Sequence, residues 1–176
     1  MKSTGVFRRI DELGRIVIPK EIRKNLRIQN GENLEILVDE ENIILKKYSP
    51  MESLTTIAEK YANSFNQVLK HNVIITDRDQ VIAVAGPLKK KILNKVISQF
   101  TERSIERRDS FVERQKKNVE LVIDDEEFGY YSFSSIVNNG DAIGAVIIFS
   151  SDSPLSESEE KMAVILADIL SKYFVN

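Results

Sequence analysis

The first 50 residues predict several short strands and one short helix, with a small set of apolar side chains to hold them together. The turn and strand signals along this stretch are hydrophobic runs separated by charged or glycine-containing segments. In order, they predict a strand at Val6 to Ile10, a turn at Asp11 to Gly14, a strand at Arg15 to Ile18, a helix at Pro19 to Leu26, and a hairpin of Leu34 to Val38 with Ile43 to Tyr48. A unit below roughly 70 residues rarely folds on one core without a metal, disulfides or oligomerisation.

Composition removes two of those three aids. The chain has no cysteine and a single histidine, His71, so disulfides, thiolate chemistry and a histidine metal cluster are excluded, and no metal or cofactor is expected. Dimerisation of residues 1–50 is what remains. With 42% hydrophobic and 30% charged residues, no apolar run near 20 residues and no signal peptide, the 176-residue chain is expected to be a globular cytoplasmic protein.

Charge is distributed unevenly between the two parts of the chain. Residues 1–28 hold eight lysines and arginines against three acidic residues, a net charge of +5, whereas the whole chain carries −2 and the remainder therefore −7. A basic module joined to an acidic body is typical of a DNA-binding domain attached to a regulatory or assembly domain. A merely solvated charged face explains the charge equally well at this point.

From residue 52 the pattern changes to alternating helices and strands, which predicts an α+β chain. Residues 51–70 predict a linking helix, and residues 71–176 a second domain with an antiparallel sheet flanked by helices. The expected elements are strands at Asn72 to Thr76 and Val81 to Ala85, a helix at Leu88 to Ile105, strands at Glu120 to Ile123, Phe128 to Val137 and Ala142 to Ser150, and a final helix. Ser156 and Glu159 have capping-box spacing at the start of that helix.

The run from Ser3 to Lys24, S-T-G-V-F-R-R-I-D-E-L-G-R-I-V-I-P-K-E-I-R-K, closely resembles the AbrB family of transition-state regulators, and the match continues through Leu34 to Ile36 and Ile43 to Tyr48. The resemblance implies a swapped-hairpin β-barrel in which two chains interleave, and a DNA-binding transcription regulator that activates or represses sporulation genes. It also implies that double-stranded DNA is bound by Arg8, Arg9, Arg15, Arg23 and Lys24. Arginine presents a planar fork and lysine a point charge, so the set suits both phosphate and base contacts.

Residues 52–176 resemble a GAF domain in element order, in Asn72 to Asp77 followed by Gly86, and in Ala142 to Ile148 before the last helix. GAF domains often bind small molecules, so an effector is possible, but no ligand motif identifies its residues. The wide apolar stripes of the first and last helices of this domain predict that it joins two DNA-binding dimers into a homotetramer.

Other readings remain open. For His71, a role at a helix end is favoured over catalysis. The segment Asp124 to Glu127 is expected to be an exposed acidic loop rather than a cation site. The charges of Arg103, Arg107 and Arg108 are explained better by a helix end than by a DNA-binding surface. AbrB-like domains also occur in antitoxins that bind a toxin protein, although these usually carry a disordered tail. An enzyme on the GAF-like scaffold is the third class, and it lacks a nucleophile and base pair.

Overall fold

A computed structural model describes residues 5–47 and 55–173 of the chain. The contacts divide the chain into two compact units, with the boundary after residue 48. Among the described residues, no helix is both long and apolar enough to cross a membrane.

The first unit contains one short helix and one hairpin. The helix α1 spans Lys20–Asn25, and the strands β1 (Leu34–Asp39) and β2 (Asn42–Lys47) pair antiparallel, from Leu34 opposite Lys47 to Asp39 opposite Asn42. A two-residue connection joins the strands, and Glu40 within it has a φ of 51°, the left-handed conformation that such tight turns require. The predicted hairpin is therefore confirmed, except for Tyr48, which lies outside the described residues.

Two predicted strands of the first unit are wrong for the single chain. Val6 to Ile10 and Arg15 to Ile18 have no regular secondary structure, although the turn between them forms, with the Gly14 amide donating to the Asp11 carbonyl at 2.9 Å. A strand exists only where another strand supplies hydrogen-bond partners, and within residues 5–47 these segments have no such ladder. Pro19 also differs slightly: it occupies the N-cap position, with ψ of 146°, rather than the first helical position.

The second unit is a five-stranded antiparallel sheet with helices on both faces. Its elements are α2 (Thr55–Leu69), β3 (Asn72–Thr76), β4 (Val81–Ala85), α3 (Lys89–Ile92), α4 (Gln99–Glu106), β5 (Ser110–Val122), β6 (Asp125–Asn138), β7 (Asp141–Ser150) and α5 (Glu157–Lys172). The strand order is β4-β3-β7-β6-β5. This agrees with the expected sheet flanked by helices.

Each face of this sheet carries its own apolar core, because successive side chains of a strand point to opposite faces. On one face, α2 packs on β3 and β4 and α5 on β6 and β7, enclosing residues such as Ala62, Ile75 and Leu166. On the other face, Ile74, Phe133 and their neighbours pack beneath α4 and the segment around α3. The helix predicted as a linker between the domains thus contributes Ala58 and Ala62, both fully buried, to the core of the second unit.

The predicted single helix from Leu88 to Ile105 is wrong: the structure has α3 and α4 with a break between them. Asn94 has a φ of 62°, and Val96 and Ile97 form β-bridges with Gln80 and Val122. The apolar residues at four-residue steps therefore belong to two helices and a short sheet contact. Between the helices, the backbone of Val96 and Ile97 pairs with the two sheet edges instead of forming helical hydrogen bonds. The strand predicted at Glu120 to Ile123 is likewise much longer, since β5 begins at Ser110.

Two local features support the structure of the second unit. The capping box is confirmed at the start of α5: the Ser156 hydroxyl accepts from the Glu159 amide, and the Glu159 carboxylate accepts from the Ser156 amide at 2.7 Å. A Cβ added at Gly144 would lie 2.0 Å from the Thr76 carbonyl oxygen. Only glycine permits β7 and β3 to approach at this point.

Candidate nucleic-acid interface

The five predicted DNA-binding residues all lie in the first unit, in three short segments. Arg8 and Arg9 precede the turn at residues 11–14, Arg15 follows it, and Arg23 and Lys24 occupy the last turn of α1. Four of the five side chains are exposed, and Arg23 is half-buried. The position of each residue is therefore compatible with contact to a ligand, but their assignment to DNA stays a prediction.

Asp11 organises the turn that carries Arg15. Its Oδ1 accepts hydrogen bonds from the Leu13 and Arg15 amides at 3.0 and 2.8 Å, and its Oδ2 accepts one from Arg15 Nε at 2.7 Å. The backbone and guanidinium N–H groups of Arg15 hold the pKa of the Asp11 carboxyl below its usual value. The carboxylate therefore closes the turn and orients the arginine from one side.

A second set of contacts fixes Arg23. The α1 helix ends in a reversal in which Arg27 has a φ of 52°, the Ile28 amide donates to the Arg23 carbonyl at 2.7 Å, and the Arg27 amide donates to the Lys24 carbonyl at 3.2 Å. This is the Schellman arrangement that commonly ends helices. The reversal returns the chain past Arg23, whose Nη1 donates to Asn30 Oδ1 at 2.7 Å.

A half-buried ion pair supports the same end of the helix. Lys47 Nζ lies 3.3 Å from Glu32 Oε1, and their side chains are only 19% and 6% exposed. Lys47 Nζ also donates to the Arg27 carbonyl, and Glu32 accepts from the Gln29 amide at 2.8 Å. The last residue of β2 is thereby tied to the chain reversal that follows α1.

The hairpin of the first unit has one apolar face, and that face is exposed in the single chain. The register places its members on the same side of the ribbon. They are Leu34, Ile36, Val38, Ile43 and Leu45, and we call them the hairpin face. Ile36, Val38 and Ile43 are 67%, 77% and 70% exposed, and no described residue of the first unit is buried.

Sequence reasoning missed Asp11 and Asn30 as residues that orient the predicted arginines. Asp11 had a detectable signal, because it stands four residues before Arg15 within a turn sequence, where Asp commonly bonds to backbone amides. Asn30 had none, since its seven-residue separation from Arg23 is bridged only by the reversal after α1. The same holds for the pair of Glu32 and Lys47.

The other polar candidates lie in the second unit and are mostly engaged in pairs. His71 Nε2 lies 3.2 Å from Glu159 Oε1, at the end of α2 and beside the capping box of α5. Asp125 contacts both Lys91 and Lys95, and Lys91 also contacts Glu127. These contacts give the acidic segment a structural use. Among the described residues no group of three or more His, Asp or Glu side chains could hold a metal ion.

Arg103, Arg107 and Arg108 lie at the end of α4, in agreement with the helix-end reading. All three are exposed in the second unit. Arg107 therefore offers a matched control for the arginines of the first unit.

Two protein-family models together match nearly the whole chain. Residues 53–174 match the model described as stage V sporulation protein T C-terminal, transcription factor. The chain belongs to this family. Residues 7–53 match the model described as antidote-toxin recognition MazE, bacterial antitoxin.

Individual relatives match the whole chain or its first unit. The chain is 49% identical to stage V sporulation protein T of Bacillus subtilis (strain 168) over 174 residues, which is 98% of each chain. It is 62% identical over 50 residues to the transition state regulatory protein AbrB of the same organism, covering 28% of this chain and 52% of that protein. The resemblance of the first unit to the AbrB family is confirmed.

The second unit has the fold of a GAF domain. A crystal structure of the GAF domain from Acinetobacter phosphoenolpyruvate-protein phosphotransferase matches with a TM-score of 0.55 at 13% identity, covering 68% of this chain and 80% of that one. At this identity the likeness concerns fold alone. It confirms the GAF-like architecture predicted for residues 52–176.

Proposed function

We propose that this chain regulates the transcription of sporulation genes by binding double-stranded DNA through a dimer of its first unit. The observation that carries the proposal is the exposed hairpin face in a unit whose described residues include no buried one. Apolar surface of this kind marks an interface. A second copy is the natural occupant, because a two-fold dimer brings the same face to itself.

The same dimer explains the two predicted strands that the single chain lacks. Residues 6–10 and 15–18 have strand-forming sequences but no ladder within residues 5–47. Interleaving two chains into one small barrel, as the AbrB family resemblance implies, gives these segments partners from the second copy. The unsatisfied backbone and the exposed apolar face would then be resolved by one association step.

Charge supports DNA as the ligand. Residues 1–28 carry a net charge of +5, so a dimer presents about +10 from these segments alone. Arg8, Arg9, Arg15, Arg23 and Lys24 are the contact residues we propose, with arginines suited to bidentate contacts and Lys24 to a phosphate. The function needs no catalytic step, and a regulator acting on bacterial DNA works in the cytoplasm.

The second unit is proposed to join two DNA-binding dimers into a homotetramer. Several large apolar side chains remain exposed on its two long helices: Val68 of α2 is 80% exposed, and Val164 and Ile165 of α5 are 47% and 44% exposed. Contact between these helices in different subunits would cover them. A tetramer would hold two DNA-binding faces at one separation and raise avidity for paired sites by about 10² or more.

A small molecule that binds the second unit is proposed to regulate DNA affinity. A GAF-like unit of this size exceeds what tethering requires, and helices on both faces of the sheet provide layers in which a ligand could lie. A metabolite screen that raises the melting temperature of the protein, followed by DNA titration with each hit, tests the idea. Unchanged DNA affinity with every hit would leave the second unit a role in assembly alone.

Toxin binding is the second candidate function, and the match of residues 7–53 to the MazE antitoxin model favours it. That match covers only the first unit. The relative that aligns with 98% of this chain is a stage V sporulation protein T, and residues 53–174 of this chain match a transcription-factor model. Similarity along both units therefore favours DNA regulation.

The decisive experiment is a salt-dependent DNA titration of the full chain and two matched arginine variants. Each phosphate contact contributes about 0.9 to the slope of log affinity against log salt, so Arg15→Ala should flatten the slope by about 1.8 in a dimer. Arg107→Ala removes an exposed arginine from the second unit and should leave the slope unchanged. Wild-type affinity and slope for Arg15→Ala would refute the assignment.

A further inference from the structure

We propose that Asn30 is a positioning residue for DNA recognition, which holds the Arg23 guanidinium in the orientation that contacts the duplex. The inference rests on the proposed function, and it adds a residue that makes no DNA contact of its own. The juxtaposition that carries it is the 2.7 Å hydrogen bond from Arg23 Nη1 to Asn30 Oδ1.

Arg23 differs from the other four predicted contacts in how much of its side chain is buried. Its side chain is half-buried, whereas Arg8, Arg9, Arg15 and Lys24 are exposed. Its Nε is fully buried and has no hydrogen-bond partner in the described structure. A buried donor without a partner is unfavourable, so the guanidinium lies in this pose because other contacts hold it there.

Those contacts come from the chain that follows α1. The Arg23 carbonyl accepts from the Ile28 amide, and its guanidinium donates to Asn30, so backbone and side chain are both held by the reversal. The reversal is itself tied to β2 through Lys47 and Glu32. Asn30 is therefore attached to a supported segment and can act as a fixed acceptor.

The number of donors leaves part of the guanidinium for a ligand. Arginine has five N–H groups in a planar fork. Within residues 5–47, Nη1 is bonded to Asn30, Nε is buried, and Nη2 makes no hydrogen bond to another described residue. Fixing Nη1 in the plane therefore fixes where the two Nη2 donors point, which is what recognition of a phosphate or of guanine requires.

The benefit to binding is a smaller loss of side-chain freedom. A long side chain that is ordered before association loses less entropy than a free one. From the ordering cost of one rotamer-rich side chain, loss of the Asn30 contact should weaken DNA binding about 2- to 12-fold for each copy of Arg23. The phosphate or base contact would still form, so the salt slope should stay near the wild-type value.

The test is a double-mutant cycle in the full chain, with Arg23→Ala, Asn30→Ala and both together, titrated with a fluorescent duplex selected by the wild-type protein from a random pool. Asn30→Ala should weaken binding in the presence of Arg23 and have no further effect in the Arg23→Ala background. Asn33→Ala is the matched control, an exposed asparagine nearby whose side chain makes no hydrogen bond within the described residues.

A second measurement separates positioning from simple stabilisation of the turn. The NMR order parameter of the Arg23 Nε–H group should fall in Asn30→Ala while backbone order parameters of residues 20–30 remain unchanged. If Asn30→Ala fails to fold, Asn30→Ser takes its place, because serine is too short to keep the contact and remains compatible with a turn.

Two outcomes would overturn the inference. One is an equal loss of affinity from Asn30→Ala with and without Arg23, and the other is wild-type affinity for Asn30→Ala. Failure here is distinguishable from failure of the proposed function: if Arg15→Ala still weakens DNA binding, the function stands and only the role of Asn30 falls. If the full chain binds no duplex from the pool, both fall.

Discussion

The two units of this chain differ in where their apolar side chains lie. In the first unit, twelve large apolar residues are more than a third exposed and none of the described residues is buried. In the second unit, 31 apolar residues are buried in two clusters on either side of one sheet. The second unit therefore has a core within one chain, and we expect the first to need apolar surface from another molecule.

This difference has a consequence for stability. A unit that folds on its own core has a free energy of unfolding that is independent of protein concentration, whereas an obligate dimer loses stability on dilution. In the proposed dimer, the interface that completes the first unit also presents its basic residues twice. Folding and DNA recognition are thus expected to depend on the same association.

The largest expected effect is loss of the folded first unit on dilution. For a two-state dimer, each tenfold dilution lowers the free energy of unfolding by about 1.4 kcal/mol. Hydrogen exchange on the full chain should show protection of β1 and β2 falling along a dilution series, while the central strands β3 and β7 stay protected. Constant protection of residues 34–47 at every concentration would break the comparison.

Truncating an apolar side chain of the hairpin face should lower the free energy of unfolding as much as truncating a buried core side chain. Ile43 is 70% exposed in the single chain, yet Ile43→Ala should destabilise the first unit by about 2 to 4 kcal/mol if a partner covers it. Phe128→Ala is the control, because Phe128 of β6 is 55% exposed and should cost less than about 1 kcal/mol. Hydrogen exchange measures the change in unfolding free energy of the first unit in Ile43→Ala and of the second unit in Phe128→Ala. Equally small changes in the two variants would mean that no partner covers the hairpin face.

Tyr131 tests the interior of the second unit through pH. Burial raises the pKa of Tyr131 to about 12, and the Glu113 carboxylate adds to the rise. Since the folded-state pKa lies above the unfolded value of about 10, the associated stability is present below pH 10 and is lost as pH rises toward 12. Urea unfolding at pH 11 should show about 1 kcal/mol less stability than at pH 9, and Tyr131→Phe should remove that part of the loss. The same loss in Tyr131→Phe would assign the pH dependence to other groups.

The smallest effect concerns the capping box of α5. Ser156→Ala removes the acceptor for the Glu159 amide and should lower the stability of the second unit by about 1 kcal/mol. Ser158→Ala lies in the same first turn, has no side-chain hydrogen bond within the described residues and should be neutral or slightly stabilising. Thermal melts of both variants measure the difference, and an unchanged melting temperature for Ser156→Ala would mean that the cap does not stabilise α5.

The strongest local signals in the sequence were followed by the structure. The β1–β2 hairpin, the strands β3 and β4 and the capping box of α5 each depend on residues close in sequence, where turn chemistry and backbone amides act over a few positions. The helix expected from residues 88–105 failed for the opposite reason. Apolar residues at four-residue steps suit a helix, but the backbones of Val96 and Ile97 pair with Gln80 and Val122, which lie at two sheet edges and outside the predicted helix.

The sequence by itself determined the family, the α+β class and the basic character of the first unit, because these follow from residue identity, order and charge. The tertiary structure decided which side chains are held. Arg15 is oriented by Asp11 across a turn that sequence could have indicated, but Arg23 is oriented by Asn30 only because the chain reverses after α1. Long-range placement of this kind depends on backbone geometry accumulated over several residues, and no local pattern encodes it.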